Sequence, residues 1–352
     1  MNSALFAWCC TAVLATVGQG PAENRPQNQP PNVRANEAAL RQLEFVVKLP
    51  NWKWKTMGGK QFWTDEAVFR DWRIQRNVLT GHCRLLDPAN VRFAWGSYKH
   101  CQAELTRAKA KFRLAPVDGK VVVVLHGILR SRNSMSSLCK HLKDDGGFTV
   151  VNVSYASSRA ELSHHAVALA RIVKNLPDAK EINIVGHSMG NLVVRHYWAD
   201  QSKPGRRPDP RIKRIVMLAP PNHSPRLAQF FRDNALFKLL WGASGKQMAN
   251  WPELEKRLGT PSVQFGIVAG RGNGVVSNPI LDDEQDLVVT VEETKLDGAH
   301  DFAVMPTTHS QIMKDRATQE AVVRFFEHGY FFSAAERQPL PITQQPKPAK
   351  QP

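Results

Sequence analysis

The sequence predicts an α/β fold, a doubly wound and mainly parallel sheet with a small β-containing module ahead of it. Residues 121–125 (Val121-Val122-Val123-Val124-Leu125) form an unbroken β-branched run, which a parallel strand buried on both faces requires. Similar runs recur at 149–153, 182–185, 215–218, 263–268 and 287–291, with helical patterns between them. The segment before Lys120 has another texture. It carries Trp52, Trp54, Trp63, Trp72 and Trp95 among Lys and Arg residues, with Gly58-Gly59 and Gly81 as breaks.

In chain order, residues 1–20 hold no charged side chain, run apolar from Ala4 to Val17 and end in small residues, the pattern of an export signal. Residues 21–42 are rich in Pro, Asn and Gln and read as a disordered linker. The tryptophan- and arginine-rich module spans 43–116, where Arg beside Trp marks a membrane-interface or glycan surface, or simple packing of guanidinium on ring. The sheet domain follows over 117–335, with an apolar insert at 225–258. Residues 336–352 read as a disordered, proline-rich tail. The clearest helix is expected to start at Ser158, with Ser158 and Glu161 as a capping box, and to run to Leu176.

Composition narrows the class. A chain of 352 residues with 42% hydrophobic and 22% charged residues folds around a sizeable core. The net charge of +16 raises the question of nucleic acid, but no nucleic-acid-binding motif is present and an export signal argues against it. Peripheral association with an anionic membrane or envelope, or attraction to an acidic substrate, suits the charge better, against the plainer alternative of a generically basic solvated surface. Export would allow Cys83 and Cys101 to form a disulfide, leaving Cys139 buried in a helix, and their spacing fits no zinc pattern.

The motif with the most chemistry is Gly186-His187-Ser188-Met189-Gly190, between a strand and the helical run from Asn191. A strand turning directly into a helix holds the central serine in a strained conformation with its hydroxyl presented. Glycines two residues to either side remove side chains that would strike the strand or the helix. Such a serine needs a base, and in this topology the acid and then the histidine follow it in the chain. His309 stands in a loop that leads into a helical run after Pro306, where a base is well placed. His300, in Asp297-Gly298-Ala299-His300-Asp301, reads as turn chemistry. The acid falls among Asp282, Asp283, Glu284 and Asp286, with Asp286 favoured because it immediately precedes the run 287–291. These oxygens are also of the type that holds Ca²⁺. Acyl transfer further needs two backbone N–H donors, expected at Met189 and at Ile128 of the His126-Gly127-Ile128 loop. His126 itself reads as structural. Gly270-Arg271-Gly272-Asn273-Gly274 superficially resembles a dinucleotide loop, but no helix follows it. No cofactor and no metal is required.

These stretches, with Asp286-Leu287-Val288-Val289 and Thr308-His309-Ser310, resemble the bacterial lipase/esterase branch of the α/β-hydrolases over roughly residues 120–332. The resemblance implies the α/β-hydrolase fold, a Ser188–Asp286–His309 triad and an oxyanion hole at Ile128 and Met189. Many such proteins carry glycine after the acid, where this chain has Leu287. The expected activity is hydrolysis of a small-molecule or lipid carboxylic ester. The alternatives are an acyltransferase using the same triad and a catalytically inactive envelope-binding protein. In the insert, Phe231, Phe237 and Trp241 belong to an apolar surplus that suggests an acyl-chain pocket, against the alternative of ordinary core packing.

Overall fold

A computed structural model describes residues 53–223, 235–272 and 289–342, with the side chains of residues 60 and 235–241 excepted. The tryptophan-rich module is a meander of four antiparallel strands, β1 (Trp63–Phe69), β2 (Trp72–Asn77), β3 (Cys83–Leu86) and β4 (Arg92–Gly96). Helix α1 (Tyr98–Lys111), capped by the Ser97 hydroxyl, packs on it. Its interior is partly polar. Asp65, Gln75 and Arg84 face one another across three strands, and Gln75 donates to Asp65 Oδ1 at 2.7 Å while accepting from Arg84. Next to them Arg76 grips Glu66 bidentately, at 2.7 and 2.9 Å. Buried polar groups cost little once paired in this way. Cys83 and Cys101 are buried free thiols, so the question of a disulfide is answered by two reduced side chains in an apolar layer, where burial pushes both thiols up to about 12.

The main sheet is parallel. Its strands are β5 (Gly119–Leu125), β6 (Thr149–Val153), β7 (Ala179–His187), β8 (Ile212–Leu218), β9 (Gln264–Gly270) and β10 (Asp301–Met305), in the order β10-β9-β8-β7-β5-β6 among the described residues. Alternate residues of β5 enter different cores. Val121 and Val123 join Leu162, Leu169, Leu192 and Tyr197 on one face, and Val122 and Val124 join Leu138, Leu142, Val322 and Phe325 on the other. Helices α3 (Leu162–Lys174) and α4 (Met189–Gln201) therefore cover one face, and α2 (Ser136–Asp144) and α8 (Arg316–His328) the other. The module's Ile74, Leu85 and Cys101 belong to the same cluster as Val121, so module and sheet share a core.

Three expectations are corrected. The run 287–291 supplies no strand among its described residues: Thr290 caps a short helix, α7 (Val291–Thr294), in a capping box with Glu293. The sixth strand is β10, which begins on an acid. The buried Asp301 carboxylate accepts from the N–H groups of Phe302, Phe331 and Gln338, at 2.9, 2.7 and 2.8 Å. The helix expected from Ser158 begins at Leu162, because the Ser158 hydroxyl donates to Gln61 at 2.8 Å rather than capping. Between them the insert holds α5 (Ala235–Ala249), kinked at Gly242, and α6 (Trp251–Glu255). Met248, Trp251 and Leu254 from this stretch enter the core. Among the described residues no helix is long and apolar enough to cross a membrane.

Candidate active site

All strands of the main sheet point the same way, so the loops leaving β5, β7, β9 and β10 gather at its carboxyl edge. Ser188 sits where β7 becomes α4. Its backbone has φ 53° and ψ −123°, a region that non-glycine residues seldom occupy, and strain of this kind clusters at functional positions. The surroundings hold it there. Ser188 N–H donates to Leu218 O at 3.0 Å, and the Asn191 amide donates to Ser188 O and Leu218 O at 3.2 and 3.1 Å. The two glycines are explained by space. A Cβ on Gly190 would lie 2.9 Å from Leu125 O and 3.0 Å from His126 O, and one on Gly186 would run into Asn191. Ser188 itself is only 8% exposed, more enclosed than a strand-to-helix elbow alone suggests.

The loop after β5 lies directly against the serine. A Cβ on Gly127 would stand 3.3 Å from Ser188 Cβ and 3.1 Å from His187 Nδ1. Among the described residues the Ile128 N–H has no hydrogen-bond acceptor, and Met189 N–H, as the first of α4, has none within its helix. Both residues are buried, and Met189 adjoins Ser188 in the chain. His126 is locked beneath them. Its ring stacks on Tyr155 at 4.2 Å, Nδ1 donates to Gly127 O at 2.8 Å, and Nε2 accepts from Tyr155 N–H at 3.4 Å. The Tyr155 hydroxyl donates to His126 O. Burial pushes His126 down to about 4, so it stays neutral and orients the loop's carbonyls.

His309 and His300 fall at opposite edges. His300 precedes β10, at the amino edge, and His309 follows it, at the carboxyl edge with Ser188. The segment around His309 is a run of turns, and the helix begins only at Arg316. His187 Nε2 donates to His309 O at 2.9 Å, and the two rings lie 4.9 Å apart. The residue before Ser188 thus anchors the His309 backbone. Burial and the positive charge of Arg130 push the His309 imidazole down to about 4, leaving it neutral and able to accept a proton. Its Nδ1 is buried and has no hydrogen-bond partner among the described residues. That is the atom an orienting carboxylate would receive.

Asp286, with Asp282, Asp283 and Glu284, lies outside the described residues, as does Phe231; Phe237 and Trp241 fall on α5, but their side chains are outside the description. What is described is the chain leading into the acidic segment. Beyond β9, a Cβ on Gly270 would meet Thr307 O at 2.7 Å, and Arg271 N–H donates to Met305 O at 2.8 Å. The chain leaves for 273–288 alongside the loop that carries His309.

One contributor was not legible in the sequence. Gln61, just ahead of β1, accepts from the Ser158 hydroxyl and donates to Arg130 O at 3.4 Å. It ties the module to the loops after β5 and β6. Ser158 O in turn abuts Gly242 of α5, and Ser244 Oγ donates to Ala160 O at 2.6 Å. A lone glutamine beside tryptophans carries no sequence signal for that role.

The family model of the alpha/beta hydrolase fold matches residues 120–245. That stretch carries β5 to β8 of the parallel sheet and the Ser188 elbow, so over these residues the chain is similar to the α/β-hydrolase fold. No curated protein sequence matches it. Among solved structures, a mature lipase of Bacillus licheniformis is similar at 14% identity, over 60% of this chain and 92% of that one, with a TM-score of 0.42. An esterase of Pyrococcus furiosus is similar at 14% identity, over 82% and 98%, with a TM-score of 0.39. Est1E of Butyrivibrio proteoclasticus, with ferulic acid bound, is similar at 16% identity, over 60% and 90%, with a TM-score of 0.39. Likenesses this loose say nothing of this chain's own chemistry.

Proposed function

We propose that the chain hydrolyses carboxylic esters through an acyl-enzyme on Ser188. The observation that carries this reading is the strained Ser188 backbone, with His187, the residue before it, hydrogen-bonded to the backbone carbonyl of the neutral His309. Ser188 Oγ attacks the acyl carbon while His309 takes its proton. The carbonyl oxygen, gaining charge, is received by the Ile128 and Met189 N–H groups at the amino end of α4, where the helix dipole adds to the attraction. Collapse of the tetrahedral intermediate expels the alkoxide, which His309 protonates. Water then repeats the sequence with the acyl group on Ser188 and returns the carboxylic acid.

Asp286 is the proposed acid. His309 Nδ1, without a partner among the described residues, supports a carboxylate from the 273–288 segment, since a buried imidazolium without one would be costly. Phe231, Phe237 and Trp241 are the proposed wall for the acyl chain. Export and peripheral association with an anionic surface are proposed from the 1–20 segment and the charge of +16; fractionation of expressing cells, with the protein found only in the cytoplasm, would exclude them. The test of the function is hydrolysis of p-nitrophenyl esters from acetyl to octanoyl by the wild type and Ser188→Ala. Turnover lost in the variant, and a specificity constant rising with chain length by up to about 0.8 kcal/mol per methylene, is the expected result. Equal turnover by both proteins would reject the mechanism. A flat profile would reject the acyl wall alone.

A further inference from the structure

We propose that a cavity in the tryptophan-rich module, walled by Trp63, Trp95, Arg84 and Arg92, binds a carboxylate carried on a six-membered ring. The cavity measures ≈ 170 Å³, and a pocket of about 150 Å³ holds one benzene ring. Its walls are of two kinds. Trp63 and Trp95 supply aromatic surface, with His82 edge-on to both at ring separations of 4.9 and 5.9 Å. Arg84 and Arg92 supply guanidinium groups, 3.8 Å over Trp63 and 5.6 Å over Trp95, and the exposed Lys55 adds an ammonium at the rim.

The site is built rather than fortuitous. Arg84 is 7% exposed, and its Nε and Nη2 both go to one neutral acceptor, Gln75 Oε1, at 3.1 and 2.8 Å. Among the described residues it is in no ion pair. The buried carboxylate of this layer, Asp65, lies 3.9 Å from Arg73 instead. Gly59 is required for the arrangement: at φ 82° it is left-handed, and a Cβ there would collide with Arg84 and Trp63. Burial, with Arg73 and Arg92 nearby and only partly offset by Asp65, pushes Arg84 down to about 10. Stacking on a ring needs no such crowding of like charges, because one cation per face satisfies the interaction. An incoming carboxylate relieves it, and Arg presents a fork that matches a carboxylate. The flat indole walls favour a ring behind that carboxylate, from either an aromatic acid or a uronic acid.

The test is titration of the full-length protein with benzoate and with glucuronate, followed by tryptophan fluorescence and by calorimetry. Acetate, inorganic phosphate, benzyl alcohol and methyl glucoside serve as controls. Saturable binding of benzoate assigns the aromatic class, and saturable binding of glucuronate the sugar class. Either acid should bind at least tenfold more tightly than acetate and than its uncharged counterpart, and lose at least tenfold in Arg84→Gln. If that variant does not fold, Arg92→Gln takes its place, and the comparison of charged with uncharged ligands on the wild type stands by itself. Binding of neither acid overturns the proposal. So does phosphate or acetate binding as tightly as the ring acids, or binding unchanged in both arginine variants, which would place the acid at Ser188 instead.

Discussion

Gly190→Ala probes the coupling between the nucleophile and the loop after β5. The added methyl would sit 2.9 Å from Leu125 O and 3.0 Å from His126 O, both backbone atoms that cannot swing aside. Relief requires α4 to move off the end of β5 by several tenths of an ångström, since ordinary carbon contacts begin near 3.5 Å. Overpacking of this kind costs about 1–3 kcal/mol. At about 2–4 °C per kcal/mol for a domain of this size class, the melting temperature should fall by several degrees and the protein should still fold. Activity should suffer more. The displaced pair, Met189 N–H and the Gly127–Ile128 backbone, is the proposed oxyanion hole, and loss of one such donor costs roughly 100-fold or more in kcat. Differential scanning fluorimetry beside p-nitrophenyl butyrate kinetics reads both quantities. A variant that melts several degrees lower yet retains full kcat would refute the placement of the oxyanion hole. One unchanged in both would refute the packing argument.

Three further outcomes follow from the geometry. His309→Ala should lower kcat by several orders of magnitude in the ester assay, whereas His300→Ala, at the far edge of the sheet, should leave it near wild type; the reverse ranking would dislodge the base. Asp286→Asn should also cost orders of magnitude by releasing the imidazole tautomer, and a larger loss in Asp282→Asn or Asp283→Asn would move the acid within its loop. Acid should destabilise the fold from below pH 6.5: His126 and His165 are pushed down to about 4 and about 3 by burial, and His187 lies well below its ordinary value. The unfolded chain therefore binds protons that the native state refuses, and stability should drop by about 1.4 kcal/mol per pH unit for each such histidine. Urea midpoints that do not change between pH 7 and pH 5 would contradict this.

The parallel sheet was legible because β5 spells its burial in four consecutive valines and the elbow spells its geometry in Gly186 and Gly190. The position of His309 at the carboxyl edge was legible from its place after the last strand, although that strand is β10 rather than the run read as one. The stretch 287–291 has a strand's composition, but at its described end Thr290 and Glu293 complete a capping box and local chemistry starts a helix at Val291. β10 was hidden because its first residue, Asp301, is a buried acid paired with three backbone N–H groups, a partnership that no local pattern reveals. The module was legible only in outline for the same reason. Its strands bury Asp65, Gln75 and Arg84 against one another across the sheet, so apolar alternation is absent where the pairing is polar. Gln61, which ties the module to the catalytic-edge loops, acts through partners some 70 to 100 residues away in the chain.

The central claim, that Ser188 is the nucleophile, is tested most directly by intact-mass and peptide analysis after reaction with a fluorophosphonate. One equivalent of adduct should form, with the peptide containing Gly186-His187-Ser188-Met189-Gly190 carrying it on Ser188. The Ser188→Ala protein should take up none, while melting within about 1 kcal/mol of the wild type. Adduct on another residue, or labelling that persists in Ser188→Ala, would contradict the account.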